Sequence, residues 1–145
     1  MREERRIYAV IDTNVLVSSL FSSGSASNPS QVINALIKGA ITPLYNDEII
    51  EEYREVLSRD KFKFKAEHID ALLSVFVEFG INTARSDAGD EVFPDNDDIV
   101  FYEVALTVDD AYLVTGNTKH FPVKTFVVTP AEMVEILQEK GFLGQ

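Results

Sequence analysis

Residues 7–21, IYAVIDTNVLVSSLF, carry the strongest secondary-structure signal of the chain. The first five residues of this stretch form a short apolar run rich in β-branched side chains, which is typical of a strand buried on both faces. The run stops at Asp12, and apolar residues then recur at helical spacing up to Phe21. An acid at such a junction lies at the carboxyl edge of a sheet, where open α/β folds bind ligands. Asp12 is therefore a candidate site residue, with a helix cap as the alternative.

The rest of the chain repeats this alternation of short apolar runs and helical patterns. Further strands are predicted at residues 40–45, 81–84, 112–115 and 125–128, with helical segments between them and a last helix opened by Thr129 and Pro130. Pro43 inside the second run favours a strand that is short or that tolerates an edge position. The alternation predicts right-handed βαβ crossovers and a mainly parallel sheet, hence an α/β fold. No domain boundary is visible, so residues 1–145 are expected to form one domain.

The composition limits the classes of partner. The 145 residues carry a formal net charge of −11, so any contact with nucleic acid needs local basic patches, bound cations or a partner chain. The chain has no cysteine, which excludes disulfides and thiolate metal sites. No apolar run is long enough to span a bilayer, and the opening MREERR is not followed by a signal-type apolar region. A cytoplasmic protein without a membrane partner is expected.

Polar side chains recur at corresponding points of the strand–helix units. Glu52 lies at the edge of the apolar stripe of its helix, where a half-buried acid needs a metal or another cation as partner; a simple rim glutamate is the alternative. Asp95, Asp97 and Asp98 open the helix before the fourth strand, and three acids exceed what capping needs. Asp98 shares a helix face with apolar residues and is expected to point inward. Asn117 follows the fourth strand.

Converging carboxylates without cysteine or suitably spaced histidines indicate an all-oxygen site for Mg²⁺ or Mn²⁺. Such a cation lowers the pKa of a bound water and stabilises in-line displacement at a phosphodiester. His68 lies on a polar helix face and is expected to be solvated. His120, three residues after Asn117, is a candidate to contact the substrate.

Four segments carry a family resemblance, and they cover essentially the whole chain: VIDTNVLVSSL, EEYREVL, DNDDIVFYEVAL and YLVTGNTKHFP. They resemble the PIN-domain proteins, in particular the bacterial branch that contains toxin components of toxin–antitoxin pairs. The resemblance implies a three-layer α/β/α sandwich, PIN-like and Rossmann-like, and a metal-dependent ribonuclease. By position it assigns the catalytic and metal-binding acids to Asp12, Glu52 and Asp98, with Asp95 as a secondary metal ligand. It also implies an RNA substrate, an antitoxin protein and a homodimer as partners.

The resemblance extends to the polar residues around these acids. It implies that the side chains of Thr13, Asn14 and Thr115 orient carboxylates or water. Asn117 is a departure, because many PIN domains have an aspartate at this position. Asparagine still offers a carbonyl oxygen but removes one negative charge, which favours a single bound ion.

The main hypothesis is therefore an Mg²⁺- or Mn²⁺-dependent endoribonuclease that hydrolyses RNA phosphodiester bonds as the toxin of such a pair. The alternative is a catalytically weak or inactive PIN-like module that binds a protein; the strong acidity and Asn117 favour it, and the intact acids oppose it. A third interpretation is a phosphoacceptor receiver-like domain, with Thr115 and Lys119 at strand ends, but Asp12 stands alone after the first strand. Lys119 and His120 are the candidates for substrate binding.

Basic residues gather in two places. The run KFKFK, residues 61–65, together with Arg59 offers basic and aromatic groups of the kind that hold single strands. The alternative is a solvated interhelical loop whose phenylalanines pack into the core. Arg2, Arg5 and Arg6 form either a phosphate-contacting arm or a solubilising tail.

Overall fold

The computed structural model describes residues 6–22 and 26–142, so Arg2 and Arg5 of the basic N-terminus lie outside the described residues. Within this part of the chain five strands alternate with six α-helices. The strands are β1 (Ile7–Ile11), β2 (Ile41–Tyr45), β3 (Ile81–Asn82), β4 (Tyr112–Val114) and β5 (Val127–Val128). The helices are α1 (Thr13–Phe21), α2 (Asn28–Ile37), α3 (Asp47–Leu57), α4 (Ala66–Phe79), α5 (Ile99–Ala105) and α6 (Pro130–Glu139).

The five strands form one parallel sheet in the order β3-β2-β1-β4-β5. With the six helices it makes a three-layer α/β/α sandwich, and the predicted fold class is confirmed. Because β1 lies at the centre and is followed at once by α1, Asp12 falls at the carboxyl edge of the sheet. None of the helices in the described residues is long and apolar enough to cross a membrane.

Of the two options predicted for β2, the strand is short, with five residues, and it does not occupy an edge position, because it lies between β1 and β3. Pro43 is accommodated because the two ladders are offset. β1 pairs with residues 41–43 of β2, whereas β3 pairs with Leu44 and Tyr45 only. The ladder to β3 therefore begins just after the proline.

Local capping explains where several helices begin. Asn46 rather than Asp47 caps α3, and its Oδ1 accepts a hydrogen bond from the backbone N–H of Ile49 at 2.9 Å. Thr129 caps α6, as the sequence predicts, and the structure adds a capping box with Glu132. Helix α2 begins at Asn28, because Ser27 caps it and Pro29 fits its first turn.

Tyr53 anchors α3 on the end of β1. Its side chain is fully buried, and its hydroxyl donates a hydrogen bond to the backbone carbonyl of Ile11, the residue before Asp12. The ring packs between Phe76 and Phe101 at centroid distances of 5.1 and 6.2 Å. The contact fixes α3 next to the strand end that carries Asp12, which places the neighbouring Glu52 close to the same edge.

Candidate active site

Asp12 occupies the N-cap position of α1, but its side chain forms no capping hydrogen bond. The carboxylate instead turns toward the end of β4. Its Oδ2 accepts a hydrogen bond from the Thr115 hydroxyl at 2.7 Å and another from the Asn14 side-chain amide at 3.2 Å. Asp12 is only 6% exposed. These contacts fix the orientation of a buried carboxylate at the carboxyl edge of the sheet.

Thr115 and Asn14, the two residues that donate hydrogen bonds to Asp12, also accept hydrogen bonds from the loop after β4. Thr115 is fully buried, and its hydroxyl oxygen accepts the backbone N–H of Asn117 at 2.9 Å. Asn14 Oδ1 accepts the backbone N–H of Gly116 at 3.0 Å. The residues that follow β1 and β4 are therefore joined by one hydrogen-bond network around Asp12.

The electrostatic environment of Asp12 combines opposing effects. Burial raises the pKa of the carboxyl group, while the hydrogen bond from Thr115 and the proximity of His120 oppose this rise. The hydroxyl of Thr13, the next residue, is buried and has no hydrogen-bond partner in the described part of the chain. Asp12 thus stands beside a polar group whose hydrogen-bonding capacity is unused.

Asp98 approaches the same edge from the start of α5. Its side chain is 15% exposed, whereas Asp97 is exposed to solvent, so Asp98 is the inward-pointing acid. Burial, followed by the negative charge of Asp12, raises the pKa of Asp98 to about 6. Its Oδ2 is buried and forms no hydrogen bond with the described residues. Asp95, which is exposed, has a local role, because its Oδ1 accepts the backbone N–H of Asp97 at 2.9 Å.

His120 lies between Asp98 and Asn117. Its Nδ1 is 3.2 Å from Asp98 Oδ2 without hydrogen-bond alignment, and the Asn117 side-chain amide donates to its Nε2 at 3.0 Å. With Nε2 as acceptor, the neutral ring carries its proton on Nδ1, facing Asp98. The sequence indicates His120 only as a candidate substrate contact. It carries no signal for the contact between His120 and Asp98. Lys119 is exposed in the same short turn.

Glu52 is the acid of α3 that faces the site. Glu48 pairs with Arg85 at 2.9 Å and Glu55 pairs with Arg59 at 2.8 Å, whereas Glu52 forms no ion pair with a described residue. Burial raises the pKa of Glu52, and the charges of Asp97, Glu55 and Asp12 add to this effect, while Arg59 opposes it. Glu52 therefore lies within electrostatic range of Asp12.

The donor set suits a hard cation. Asp12, Glu52 and Asp98 offer only carboxylate oxygens, and Asp98 Oδ2 is buried without a partner, which fits Mg²⁺ or Mn²⁺ better than a metal that prefers nitrogen or sulfur. In the described residues, however, no three acidic, histidine or cysteine side chains stand close enough together to form a ready-made metal cluster. A cation would have to draw these carboxylates together.

A parallel α/β/α sandwich with a buried acid at the carboxyl edge of its sheet places a ligand-binding crevice at that edge. A family model described as PIN domain matches residues 8–119, and the chain belongs to this family. PIN domains are generally nucleases that use divalent metal ions. No match to the chain is found among curated proteins or among solved structures. The matched span includes Asp12, Glu52, Asp98 and Asn117 and ends one residue before His120.

Proposed function

We propose that this protein is an Mg²⁺- or Mn²⁺-dependent endoribonuclease that hydrolyses RNA phosphodiester bonds, and that it is the toxin component of a toxin–antitoxin pair. The observation that carries the proposal is the buried Oδ2 of Asp98, which forms no hydrogen bond with a described residue and lies in the electrostatic field of the buried Asp12. A buried carboxylate and a partly buried one that repel each other destabilise the fold unless a cation binds between them or one becomes protonated. A site with this property favours divalent cations.

In this proposal Asp12, Glu52 and Asp98 hold the cation, and Asp95 is a secondary ligand. The bound cation supplies an acidified water and stabilises the negative charge that develops on the phosphate. Thr115 and Asn14 keep the Asp12 carboxylate in one orientation through hydrogen bonds of 2.7 and 3.2 Å.

The remaining polar residues surround this centre. The unpartnered hydroxyl of Thr13 is available to water or to a metal-bound ligand. The side-chain amide of Asn117 forms a hydrogen bond with His120. The site has one negative charge fewer than it would have with an aspartate at this position. Lys119 is exposed in the same turn as His120 and is the proposed contact for a substrate phosphate.

Two protein partners belong to the proposal: an antitoxin and a second copy of the chain. Most of the apolar face of α4 is buried in the core, but Val77 and Phe79 are exposed to solvent. Ile37 and Ile81 are also exposed, and they line a shallow groove together with Phe79. This apolar surface supports a protein contact.

The test is a cleavage assay on a mixed pool of single-stranded and structured RNA, with EDTA, Mg²⁺ or Mn²⁺. We expect cleavage that needs the metal and is lost in Asp12→Asn. Asp109→Asn is the matched control, because Asp109 is exposed and lies beside the amino end of β4, away from the site. Cleavage that survives Asp12→Asn would contradict the assignment of the site.

A non-catalytic PIN module that binds a protein is the second candidate. It is favoured by the lack of a ready-made three-ligand cluster among the described residues and by Asn117. Calorimetric titration with Mn²⁺ separates the two candidates. Absence of both cleavage and Mn²⁺ binding would support the protein-binding module.

A further inference from the structure

Three phenylalanine rings meet at the surface where α1 ends and the chain leaves α3. The rings of Phe62 and Phe64 are stacked, with an angle of 14° between their planes and 5.4 Å between their centroids. Phe21, the last residue of α1, contacts both rings at centroid distances of 5.6 and 5.0 Å. Lys63, between the stacked rings, takes a left-handed backbone conformation with a φ of 58°. The turn brings two side chains that are two residues apart into one stack.

Packing in the core explains only part of this cluster. Phe64 packs against the hydrophobic core, as the loop interpretation of KFKFK predicts. Phe21 is 63% exposed and Phe62 is partly exposed. Water therefore reaches an aromatic surface that extends over more than one ring, and apolar surfaces of this kind mark sites that bind another molecule.

The surroundings of these rings are basic although the protein is strongly acidic. Residues 59–65 hold four of the thirteen basic residues of the chain and a single acid, Asp60. Arg59 is engaged by Glu55 through two hydrogen bonds. The three lysines of the segment are exposed and form no ion pair with any described residue; they are Lys61, Lys63 and Lys65. The Lys61 ammonium also lies 5.2 Å from the centroid of the Phe62 ring.

We propose that this aromatic–basic platform, formed by Phe21, Phe62, Phe64 and the three lysines, binds single-stranded nucleic acid. Bases stack on the exposed rings, and the lysines contact the phosphates on either side. A duplex fits poorly, because its bases are already stacked on each other and are not available to the rings. The unpaired positive charge favours a polyanion over an apolar protein segment.

The platform shares its two helices with the candidate active site. Phe21 and Thr13 are the two ends of α1, separated by about 12 Å along the helix axis. Arg59 follows α3 by two residues and acts electrostatically on Glu52. A single strand that binds the platform and runs along α1 toward Thr13 reaches the acids, and for a strand with this path we assign the platform as a substrate-binding surface of the proposed ribonuclease. In this respect the inference rests on the proposed function.

The test measures binding separately from cleavage. The full chain is titrated, in EDTA, against fluorescently labelled single-stranded RNA, single-stranded DNA and a blunt RNA duplex of equal length, with anisotropy as the readout. Phe21→Leu is compared with Val92→Ala, because Val92 is an apolar residue that is 82% exposed in the loop before α5. Lys61→Gln is compared with Lys38→Gln, an exposed lysine after α2. Thermal melting of each variant checks that it folds.

We expect the wild type to prefer both single strands over the duplex. Phe21→Leu should weaken single-strand binding by about fivefold or more, since a lost base–aromatic stack has an effect of this order. Lys61→Gln should reduce the slope of log affinity against log salt by about 0.7. The two control variants should bind as the wild type does.

Preference for the duplex, or equal losses in the platform variants and their controls, would overturn the proposal. Unchanged RNA affinity in the platform variants would also overturn it and would leave the surface to an acidic protein partner. Because the titration contains no metal, its result is independent of cleavage. Cleavage without platform binding would refute only the platform, whereas platform binding without cleavage in Mg²⁺ or Mn²⁺ would refute only the ribonuclease.

Discussion

The imidazole Nδ1 of His120 lies 3.2 Å from Oδ2 of Asp98, and the opposite ring nitrogen accepts the side-chain amide of Asn117 at 3.0 Å. Asn117 thereby orients the ring, and the ring places Nδ1 next to a buried carboxylate oxygen that has no hydrogen-bond partner among the described residues. We infer that His120 is a positioning residue for Asp98. This role differs from the direct substrate contact that the sequence suggests.

Removal of the imidazole should weaken cation binding. His120→Ala is expected to lower Mn²⁺ affinity about tenfold, because groups that orient metal ligands have effects of this size. His120→Asn should recover most of the affinity, since its amide nitrogen can replace Nδ1 as a donor to Asp98. Calorimetric titration with Mn²⁺ is the measurement. Equal affinities in His120→Ala and the wild type would refute the role.

Asp98→Asn should stabilise the metal-free protein above pH 6. The pKa of Asp98 is about 6 in the fold and close to 3.8 when unfolded, so between these pH values the folded state binds more protons. The unfolding free energy of the wild type therefore falls as pH rises from about 4 to about 6 and stays lower above it. The variant does not lose this stability as pH rises. Its unfolding free energy should exceed that of the wild type by about 1 kcal/mol at pH 7.5, a value reduced for the partial exposure of Asp98.

Urea unfolding in EDTA at pH 4 and pH 7.5 measures this gain. The side chain of Asp98 makes no capping hydrogen bond to α5, so the substitution removes no cap. Asp109→Asn, an exposed control, should show the same difference from the wild type at both pH values. An Asp98→Asn variant that is less stable than the wild type at pH 7.5 would contradict the repulsion that we infer.

Thr115→Val should affect both stability and cleavage. The substitution keeps the shape of a fully buried side chain but removes the 2.7 Å hydrogen bond to Asp12. Loss of a hydrogen bond to a buried carboxylate is expected to cost about 1.5–3 kcal/mol of unfolding free energy. Cleavage should fall by about 10–100-fold, because Asp12 loses its fixed orientation.

Chemical unfolding and initial cleavage rates measure the two effects of Thr115→Val. Thr107→Val is the matched control, since the Thr107 hydroxyl donates to the backbone carbonyl of Val104 at 2.7 Å, outside the Asp12 network. The control should lose some stability but keep its cleavage rate relative to the wild type. Equal loss of cleavage in both variants would show that Thr115 has no particular role at the site.

Asn117→Asp should raise cation affinity and lower stability without metal. The new carboxylate would add a negative charge to a site in which Asp12 and Asp98 already repel each other. We expect a Mn²⁺ affinity about tenfold higher and a lower melting temperature in EDTA at pH 7.5. Calorimetry and thermal melting test the two effects. A variant with unchanged Mn²⁺ affinity would show that residue 117 does not face the cation.

Gly80→Ala should destabilise the fold through a clash of backbone atoms. A Cβ at this position would lie 2.5 Å from the carbonyl oxygen of Phe76 and 2.6 Å from that of Pro43. Since neither oxygen belongs to a flexible side chain, the expected cost is about 2 kcal/mol or more. In Gly116→Ala the new Cβ meets only the side chain of Asn14, at 3.3 Å, and the loss should be smaller. Equal losses in urea unfolding would refute this explanation.

Most of the fold follows from local sequence signals. Short stretches of sequence indicate three features that the structure contains. They are the buried run of β1, the cap and proline at the start of α6, and the end of α4 before Gly80. The edge position that Pro43 offered as one option for β2 does not occur, since the offset of its two ladders depends on strands that are distant in sequence. Local rules describe a residue's own conformation but not which neighbours pair beside it.

The candidate acids are predictable from the sequence, because a strand end and a helix start define the positions of Asp12 and Asp98 on their elements. Their surroundings depend on contacts between distant parts of the chain. Thr115 reaches Asp12 across 103 residues of chain, and the Tyr53 hydroxyl reaches Ile11 across 42. Likewise, Phe21 joins Phe62 and Phe64 because α1 packs beside α3. Hydrogen bonds and ring contacts act over a few ångströms in space, and periodicity along the chain carries no information about such distances.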